Sequence, residues 1–156
     1  MPYPGGPHIS KEAAKVEKSN IKLPRPMLHS KNYDFSFSGL KTAVLYRAKK
    51  EKYNISEMAR EIEEAVTDVL VLKTIRAAKE YSAKTIIIGG GVTANKRLRE
   101  KMLEKAEVKV IMPPVDISID NAEMIAATAL VIGKKKKYSE VVVDSNLKID
   151  FPLNLI

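Results

Sequence analysis

Apolar residues recur at helical spacing over much of the chain, most clearly in a long central segment. Residues 56–81 place apolar side chains at steps of three and four, which predicts a long amphipathic helix. The same spacing, with capping residues, predicts helices over residues 10–18, 39–52, 94–106 and 122–132. The buried positions expected on the long helix are Met58, Ile62, Ala65, Val66, Val69, Leu72 and Ile75.

Short β-branched segments alternate with the later helices. Residues 84–88 and 108–112 predict two buried parallel strands, and the helix between them completes a βαβ unit. Three aromatic residues at alternate positions, 33, 35 and 37, predict a further strand, followed by a helix that Ser38 caps. Residues 141–143 are another candidate strand. The Pro- and Gly-rich opening, residues 1–7, predicts a shaped loop.

The predicted elements define an α/β fold with an incomplete sheet, because doubly wound sheets commonly have four to six strands. Either the aromatic strand and the tail complete a small sheet, or the chain is one part of a larger protein. A length of 156 residues predicts one domain. Its expected parts are a mainly helical one (1–82), a βαβα part (83–137) and a tail (138–156).

Composition narrows the functional classes. The absence of cysteine excludes disulfides, thiolate metal sites and a cysteine nucleophile, and it favours a reducing, cytoplasmic setting. The apolar segments are too short for a membrane span and no signal peptide opens the chain, so we expect a soluble protein without membrane partners. Twenty-seven basic against nineteen acidic residues give a net charge of +8, which favours polyanionic partners such as nucleic acid or nucleotides.

A glycine-rich loop is the first candidate site. Gly89, Gly90 and Gly91 follow a predicted strand, and Asn95 comes next to a predicted helix start, an arrangement that lets a nucleotide approach the backbone. The alternative is a tight turn with close helix packing. A loose dinucleotide fingerprint is also matched, but residues 112–114, Met-Pro-Pro, stand where that motif has an acid.

Carboxylates and histidines give a weaker signal for a metal. Asp120 precedes an apolar helix, where it is either an N-cap or a ligand for a metal or phosphate site, and Asp116 is equally available. His8 and His29 lie far apart without metal-binding spacing, so a self-contained zinc or iron site is not expected.

Two further segments carry hydroxyl or basic groups. Residues 35–42 combine hydroxyls, a glycine and a lysine at a helix start, which suits phosphate or an RNA backbone, or forms a capped core helix. The basic residues of the helix after the glycines are expected to form a solvated face. No serine lies in a nucleophile elbow, so hydrolytic acyl chemistry is not supported.

Taken in order, these motifs resemble the C-terminal half of the bacterial tRNA threonylcarbamoyladenosine transferases, the TsaD family, formerly labelled O-sialoglycoprotein endopeptidases. The resemblance spans residues 1–132. The matching segments are YPGGP at 3–7, PRPML at 24–28, DFSFSGLKT at 34–42, GGGVTAN at 89–95, and DN at 120–121 followed by MIA at 124–126.

The resemblance implies an actin-like, ribonuclease H-related ATPase fold of two lobes with a helical insertion. It implies transfer of threonylcarbamoyl from threonylcarbamoyl-AMP to a tRNA adenosine, with an adenine nucleotide (that adenylate or ATP), one divalent metal (iron or zinc), and TsaB- and TsaE-type companion proteins. Carried onto this sequence, Gly6 and Asn95 contact the nucleotide and Gly89, Gly90 and Gly91 form the wall against adenosine. Asp120 is the implied metal ligand, and no catalytic residue is assigned.

The sequence also departs from the family pattern. The family's H-x-x-x-H metal pair, its first phosphate loops and the acid before the Pro-Gly-Gly-Pro segment have no counterpart here. We therefore expect a C-terminal lobe fragment that is inactive alone, because a metal site of this kind needs about three protein ligands. The alternatives are a non-catalytic nucleotide- or nucleic-acid-binding module and a lobe of another actin-like ATPase.

Overall fold

The computed structural model describes residues 4–50, 52–133, 135, 137–143 and 145–146. The chain divides into two compact units, Met1–Ile119 and Asp120–Ile156, a boundary that coincides with neither predicted division. The single domain expected from the sequence stays a prediction. The first unit contains α1 (Gly5–Ala13), α2 (Ser38–Lys50), α3 (Ile55–Glu80), β1 (Thr85–Ile87), a 3-10 turn (Gly91–Ala94), α4 (Lys96–Lys105) and β2 (Lys109–Ile111).

The long central helix is confirmed. It begins after Asn54, whose side-chain oxygen accepts from the amides of Ser56 and Glu57 at 2.8 and 3.2 Å and satisfies two orphan donors of the first turn. Of the predicted buried positions Leu72 is wrong, since it is 39% exposed, and the others are buried or pack against the core. Four polar residues of α3 are buried as well: Glu61, Glu63, Thr67 and Lys73.

Residues 5–7 are helical, which corrects the predicted loop there; the first three residues of that prediction lie outside the described residues. Pro4 lies at the N-cap of α1 with an extended backbone, and the helix runs from Gly5 to Ala13. Prolines are tolerated there because the first amides of a helix have no intrahelical partner to lose. Ser10 is inside this helix rather than at its cap, and the helix stops short of residue 18.

The aromatic segment forms no strand, although Ser38 does begin a helix. Two backbone carbonyls in and beside this segment accept from side chains of α3 and not from a neighbouring strand. The Lys73 ammonium donates to the carbonyl of Asp34 at 2.6 Å, and the Arg76 guanidinium donates to that of Asn32 at 2.7 Å. Alternation in the sequence therefore reflects packing of a loop and not a β-ladder.

The βαβ unit is confirmed. Strands β1 and β2 pair in parallel with Ile86 opposite Val110, and α4 provides the crossover between them. Among the described residues the sheet has these two strands alone. One face packs on the helices, but Ile87 and Ile111 on the other face are 75% and 42% exposed, which corrects the predicted burial of both strands.

Two apolar clusters hold the first unit together. One joins α2 and α3 to the connector before them, through Ile21, Leu23, Leu40, Met58 and Ala65. The other joins α3 to α4 and the sheet, through Val71, Leu98 and Met102. Leu103 of α4 lies outside this cluster and is 62% exposed.

The second unit contains α5 (Ala122–Ile132) and a 3-10 turn (Tyr138–Glu140). Helix α5 is confirmed at its predicted bounds and ends at Gly133, whose φ of 64° is the left-handed conformation that glycine adopts at little cost. Residues 141–143 form no strand and are exposed. No described helix of the chain combines the length and apolarity that a membrane crossing requires.

Candidate nucleotide-binding site

The glycine loop is open towards solvent. Gly89 and Gly90 follow β1, and a Cβ added at either would meet no other atom within 4 Å. Gly90 has a φ of +87°, and its carbonyl accepts from the amide and the hydroxyl of Thr93 at 2.9 and 2.7 Å. Among the described residues, the amides of Gly89 and Gly90 donate to no partner. The loop therefore offers exposed backbone and free donors to a ligand.

Arg99 ties this loop to the one that follows β2. Its guanidinium donates to the carbonyl of Thr93 at 2.5 Å, to that of Pro113 at 2.6 Å and to the Ser118 hydroxyl at 3.1 Å. Both loops leave the carboxyl ends of parallel strands, the usual position of ligand sites in α/β folds. The Arg99 side chain thus holds the glycine loop and the loop after β2 together.

Asn95 joins three helices. Its side-chain oxygen accepts from the amide of Leu98 at 2.8 Å and so caps α4, which begins at Lys96 and not at residue 94 as predicted. Its side-chain nitrogen donates to the hydroxyl of Ser10 on α1 at 3.0 Å and to the carboxylate of Glu63 on α3 at 2.8 Å. Ser10 donates to the same carboxylate oxygen at 2.8 Å. These bonds use both donors of the Asn95 carboxamide and fix its orientation.

Gly6 lies on α1, the helix that contributes Ser10 to the junction at Asn95. Gly6 lies four residues before Ser10 on α1, so the two are on the same helix face one turn apart. Gly6 is exposed, and a Cβ there would meet nothing within 4 Å. Asn95, which follows the glycine loop by four residues, is therefore bonded to the helix that carries Gly6. The contact of these residues with a nucleotide stays a prediction.

A network of ion pairs joins α3 to α4 next to the junction at Asn95. Glu64 of α3 receives Arg97 at 2.7 Å and Lys101 at 2.5 Å, and Lys101 also reaches Asp68 at 2.5 Å, which in turn pairs with Arg25 at 2.9 Å. Burial of Glu64 opposes its ionisation, but hydrogen bonds from Arg97 and Lys101 outweigh burial and lower the pKa of its carboxyl. The hydrogen bond to Glu64 raises the pKa of Arg97.

This network corrects the expected solvated face of α4 for three of its basic residues, while Lys96 and Lys105 are exposed as expected. Lys101 is only 4% exposed, and the side chains of Arg97 and Arg99 are engaged in the contacts above. Lysine and arginine bury their methylene stems readily when the charged end has a partner. The sequence of a basic helix alone does not reveal that the acidic partners of Arg97 and Lys101 come from α3.

Asp120 is not the cap of α5. Its neighbour Asn121 is, since the Asn121 side-chain oxygen accepts from the amide of Met124 at 3.0 Å. Asp120 is exposed at the start of the second unit. Among the described residues no three His, Cys, Asp or Glu side chains gather where they could hold a metal ion. These residues alone do not fit a complete metal site, and Asp120 stays a predicted single ligand.

Sequence reasoning missed Glu63, the acceptor at the centre of the junction. The available signal is its position: Glu63 stands four residues after Ala59 and four before Thr67, both of which are buried. A carboxylate on a buried helical row needs donors from elsewhere in the fold. Only the tertiary arrangement identifies those donors as Ser10 and Asn95.

A shallow groove at the opposite end of the strands is separate from this site. It is lined mainly by aliphatic atoms of α3 and by residues just before or within the strands, including Ile75, Ala78, Lys84, Ile86 and Val108. Because the glycine loop leaves the carboxyl end of β1 and the groove lies at the amino ends of the strands, the two are at opposite ends of the sheet.

Comparison with known proteins agrees with this arrangement of motifs. The family model described as tRNA N6-adenosine threonylcarbamoyltransferase matches residues 1–127. Curated proteins of that name from Thermosipho africanus and Geobacillus thermodenitrificans are 43% and 44% identical over 155 residues, which is 94% of this chain. One from Thermotoga neapolitana is 48% identical over 128 residues, or 80% of this chain.

The chain belongs to the tRNA N6-adenosine threonylcarbamoyltransferase family, as its motifs indicated. It spans 47%, 45% and 39% of the length of these three relatives. The mixed α/β architecture with its two-stranded parallel sheet is consistent with part of such a protein.

Proposed function

We propose that this chain supplies one wall of the adenine-nucleotide site of a tRNA threonylcarbamoyl transferase. The observation that carries the proposal is the family match over residues 1–127, which includes Gly6, the glycine loop and Asn95. In the proposed reaction the exocyclic amine of a tRNA adenosine next to the anticodon attacks the carbamoyl carbon of threonylcarbamoyl-AMP. The new C–N bond forms, the bond from that carbon to the phosphate oxygen breaks, AMP leaves and the amine loses a proton.

The glycine loop supports this role because its backbone is accessible. A nucleoside can lie directly over Gly89 and Gly90, where no side chain intervenes, and the free amides of the loop offer donors to its polar edges. Asn95 fixes the helix start beside the loop and so sets the position of the wall. With both of its carboxamide donors used, any contact it makes to a nucleotide in this arrangement is as an acceptor.

The proposal extends to the rest of the family's apparatus. We assign Asp120 as one ligand of a divalent metal, iron or zinc, completed by groups other than the described residues. The same proposal includes an actin-like fold for this lobe and a cytoplasmic location. It also includes tRNA as substrate and TsaB- and TsaE-type companion proteins as partners. The family name supports the tRNA substrate.

Nucleotide binding is tested with two glycine variants. Gly89→Ala adds a methyl group that meets nothing in the protein but stands where a nucleoside would lie, whereas Gly39→Ala adds one at an ordinary 3.8 Å from Pro26. NMR titration with AMP, ATP and the other nucleoside triphosphates should show weak, adenine-selective binding. We expect Gly89→Ala to weaken it at least tenfold and Gly39→Ala to leave it unchanged. Equal responses to all bases, or equal loss in both variants, would refute the assignment.

Transfer and metal retention are tested in a full-length relative that carries the same motif. Assay of threonylcarbamoyl transfer to tRNA, with metal analysis, should show that replacing the aspartate equivalent to Asp120 by Asn removes both. This chain alone should show neither transfer nor ATP hydrolysis. Turnover by this chain, or an unaffected aspartate variant, would contradict the metal assignment.

A further inference from the structure

One face of α2 carries basic and aromatic side chains without compensating acids. The helix contains no acidic residue over its whole length, Ser38–Lys50. Its exposed side chains form two adjacent rows at four-residue spacing, one of Lys41, Leu45 and Lys49 and the other of Thr42, Tyr46 and Lys50. The Leu45 and Tyr46 side chains are 53% and 63% exposed. Each row therefore combines an uncovered apolar or aromatic group with a cation.

The lysines of this face differ in their pairing from the main cations of α3 and α4. Arg60, Lys79, Arg97 and Lys101 each pair with a carboxylate. Within the part of the chain that the structure describes, Lys41, Lys49 and Lys50 take part in no ion pair. Their charge is consequently available to an external anion.

The combination fits RNA better than a small anion or an apolar partner. Lysines eight residues apart on a helix lie about 12 Å from each other, which suits successive groups of a polyanion and exceeds the reach of one phosphate. An exposed tyrosine between them provides a face on which an unstacked base can lie. An apolar partner would have to desolvate three lysine ammonium groups without supplying a counter-charge.

We propose that the exposed face of α2 is a tRNA-binding surface, with Lys41, Lys49 and Lys50 contacting phosphates and Tyr46 stacking on a base. The inference rests on the proposed function, which supplies the RNA substrate. It goes beyond that function by assigning the contact to a helix distinct from the nucleotide wall. Substitutions on α2 and substitutions in the nucleotide wall can therefore be tested separately.

The test compares two triple variants that remove the same charge. Lys41→Gln/Lys49→Gln/Lys50→Gln alters the α2 face, and Lys84→Gln/Lys105→Gln/Lys109→Gln removes three exposed lysines elsewhere in the first unit. Binding of an unmodified tRNA transcript is measured by fluorescence anisotropy from 50 to 200 mM KCl. We expect the α2 variant to lose at least tenfold in affinity and about two from the slope of log K against log salt. The control variant should lose much less.

Tyr46 is tested separately. Tyr46→Ala should weaken tRNA binding roughly tenfold with an unchanged salt slope, while Tyr46→Phe, which keeps the ring, should bind as the unaltered protein does. Circular dichroism and urea unfolding establish that the variants fold alike. Equal weakening by Ala and Phe would remove the stacking role.

The remaining outcomes separate this inference from the proposed function. Equal loss of tRNA affinity in both triple variants would overturn the α2 assignment and leave the proposed function intact. No tRNA binding by the unaltered chain would also overturn the assignment, while adenine-nucleotide binding on the same sample decides the nucleotide wall independently. Competition by polyglutamate as effective as that by tRNA would identify an acidic polypeptide as the partner and refute the RNA assignment.

Discussion

The side-chain nitrogen of Asn95 donates to the Glu63 carboxylate at 2.8 Å, across 32 residues of sequence, and this bond connects the start of α4 to the middle of α3. The hydroxyl of Ser10 donates to the same oxygen from α1. Glu63 is 8% exposed, so its carboxylate depends on these donors instead of water. The position of the glycine loop relative to α1 is set through this shared acceptor.

Glu63→Ala should destabilise the first unit by about 1–3 kcal/mol, because it leaves the partly buried donors of Ser10 and Asn95 without their acceptor. Urea unfolding followed by circular dichroism measures the loss. Ser10→Ala is the matched control: it removes one donor but retains the Asn95 bond, and it should cost less than half as much. A larger effect of Ser10→Ala would show that Glu63 is not the central acceptor.

Lys73→Met should be among the more destabilising single changes on α3, costing about 3 kcal/mol. Lys73 is 1% exposed and its ammonium donates to Met27, Ser30 and Asp34 at 2.6–2.9 Å, so Met keeps the packing but removes three hydrogen bonds from a charged donor. Hydrogen exchange should also rise in residues 27–34.

Lys79→Met controls for the loss of a lysine from the same helix. Lys79 pairs with Glu107, and both side chains are more than half exposed. Surface pairs of this kind contribute little, so its unfolding free energy should change by less than about 0.5 kcal/mol. Comparable losses in the two variants would contradict the assigned role of Lys73.

Acid should weaken the attachment of α4 to α3 through Glu64. Because its pKa is lower in the folded than in the unfolded protein, its contribution is complete above the unfolded value, near 4.3, and is lost as the pH falls through the lowered folded value. The difference in unfolding free energy between the unaltered protein and Glu64→Gln should therefore be constant from pH 7 to 5 and shrink below about pH 4.3. A difference that grows on acidification would have the wrong sign for this assignment.

Helix α5 should depend on Asn121 and not on Asp120. Asn121→Ala removes the side-chain acceptor for the amide of Met124 and should reduce helix stability by about 1 kcal/mol. Cα chemical shifts over residues 122–132 report the helical fraction. Asp120→Ala, which removes an exposed carboxylate next to the cap, should leave those shifts nearly unchanged. A larger loss with Asp120→Ala would reverse the assignment.

The sequence predicted the elements whose apolar spacing is regular and missed those decided by polar contacts. Helix α3 and the βαβ unit agree with prediction because burial of one face determines them. Helix α5 also agrees, although none of its residues is buried; the Asn121 cap and Gly133 mark its two ends. Two features disagree with prediction: residues 5–7 belong to a helix, and the aromatic segment forms no strand. In the latter, buried Lys73 satisfies the backbone that a strand partner would otherwise pair. Such contacts join residues about 40 positions apart and leave no local pattern.

The candidate site was predictable to the extent that its residues belong to contiguous motifs. Gly6, the three loop glycines and Asn95 are recognisable in the sequence, and in the structure Asn95 bonds to Ser10 on the helix that carries Gly6. The roles of Glu63 as shared acceptor and Asn121 as cap required the structure. In each case a neighbouring residue, Glu64 or Asp120, offers the same chemistry, and only geometry selects between them.

The polar side chains of α3 make this helix intolerant of changes in length. Over its 26 residues it bonds in turn to Leu23, Ser10, Arg97 and the carbonyl of Asp34. Inserting one residue near its middle would rotate everything beyond it by about 100° and advance it by about 1.5 Å, so bonds on one side of the insertion would break together. Natural insertions and deletions among relatives are therefore expected in the connectors on either side of α3 and not within it.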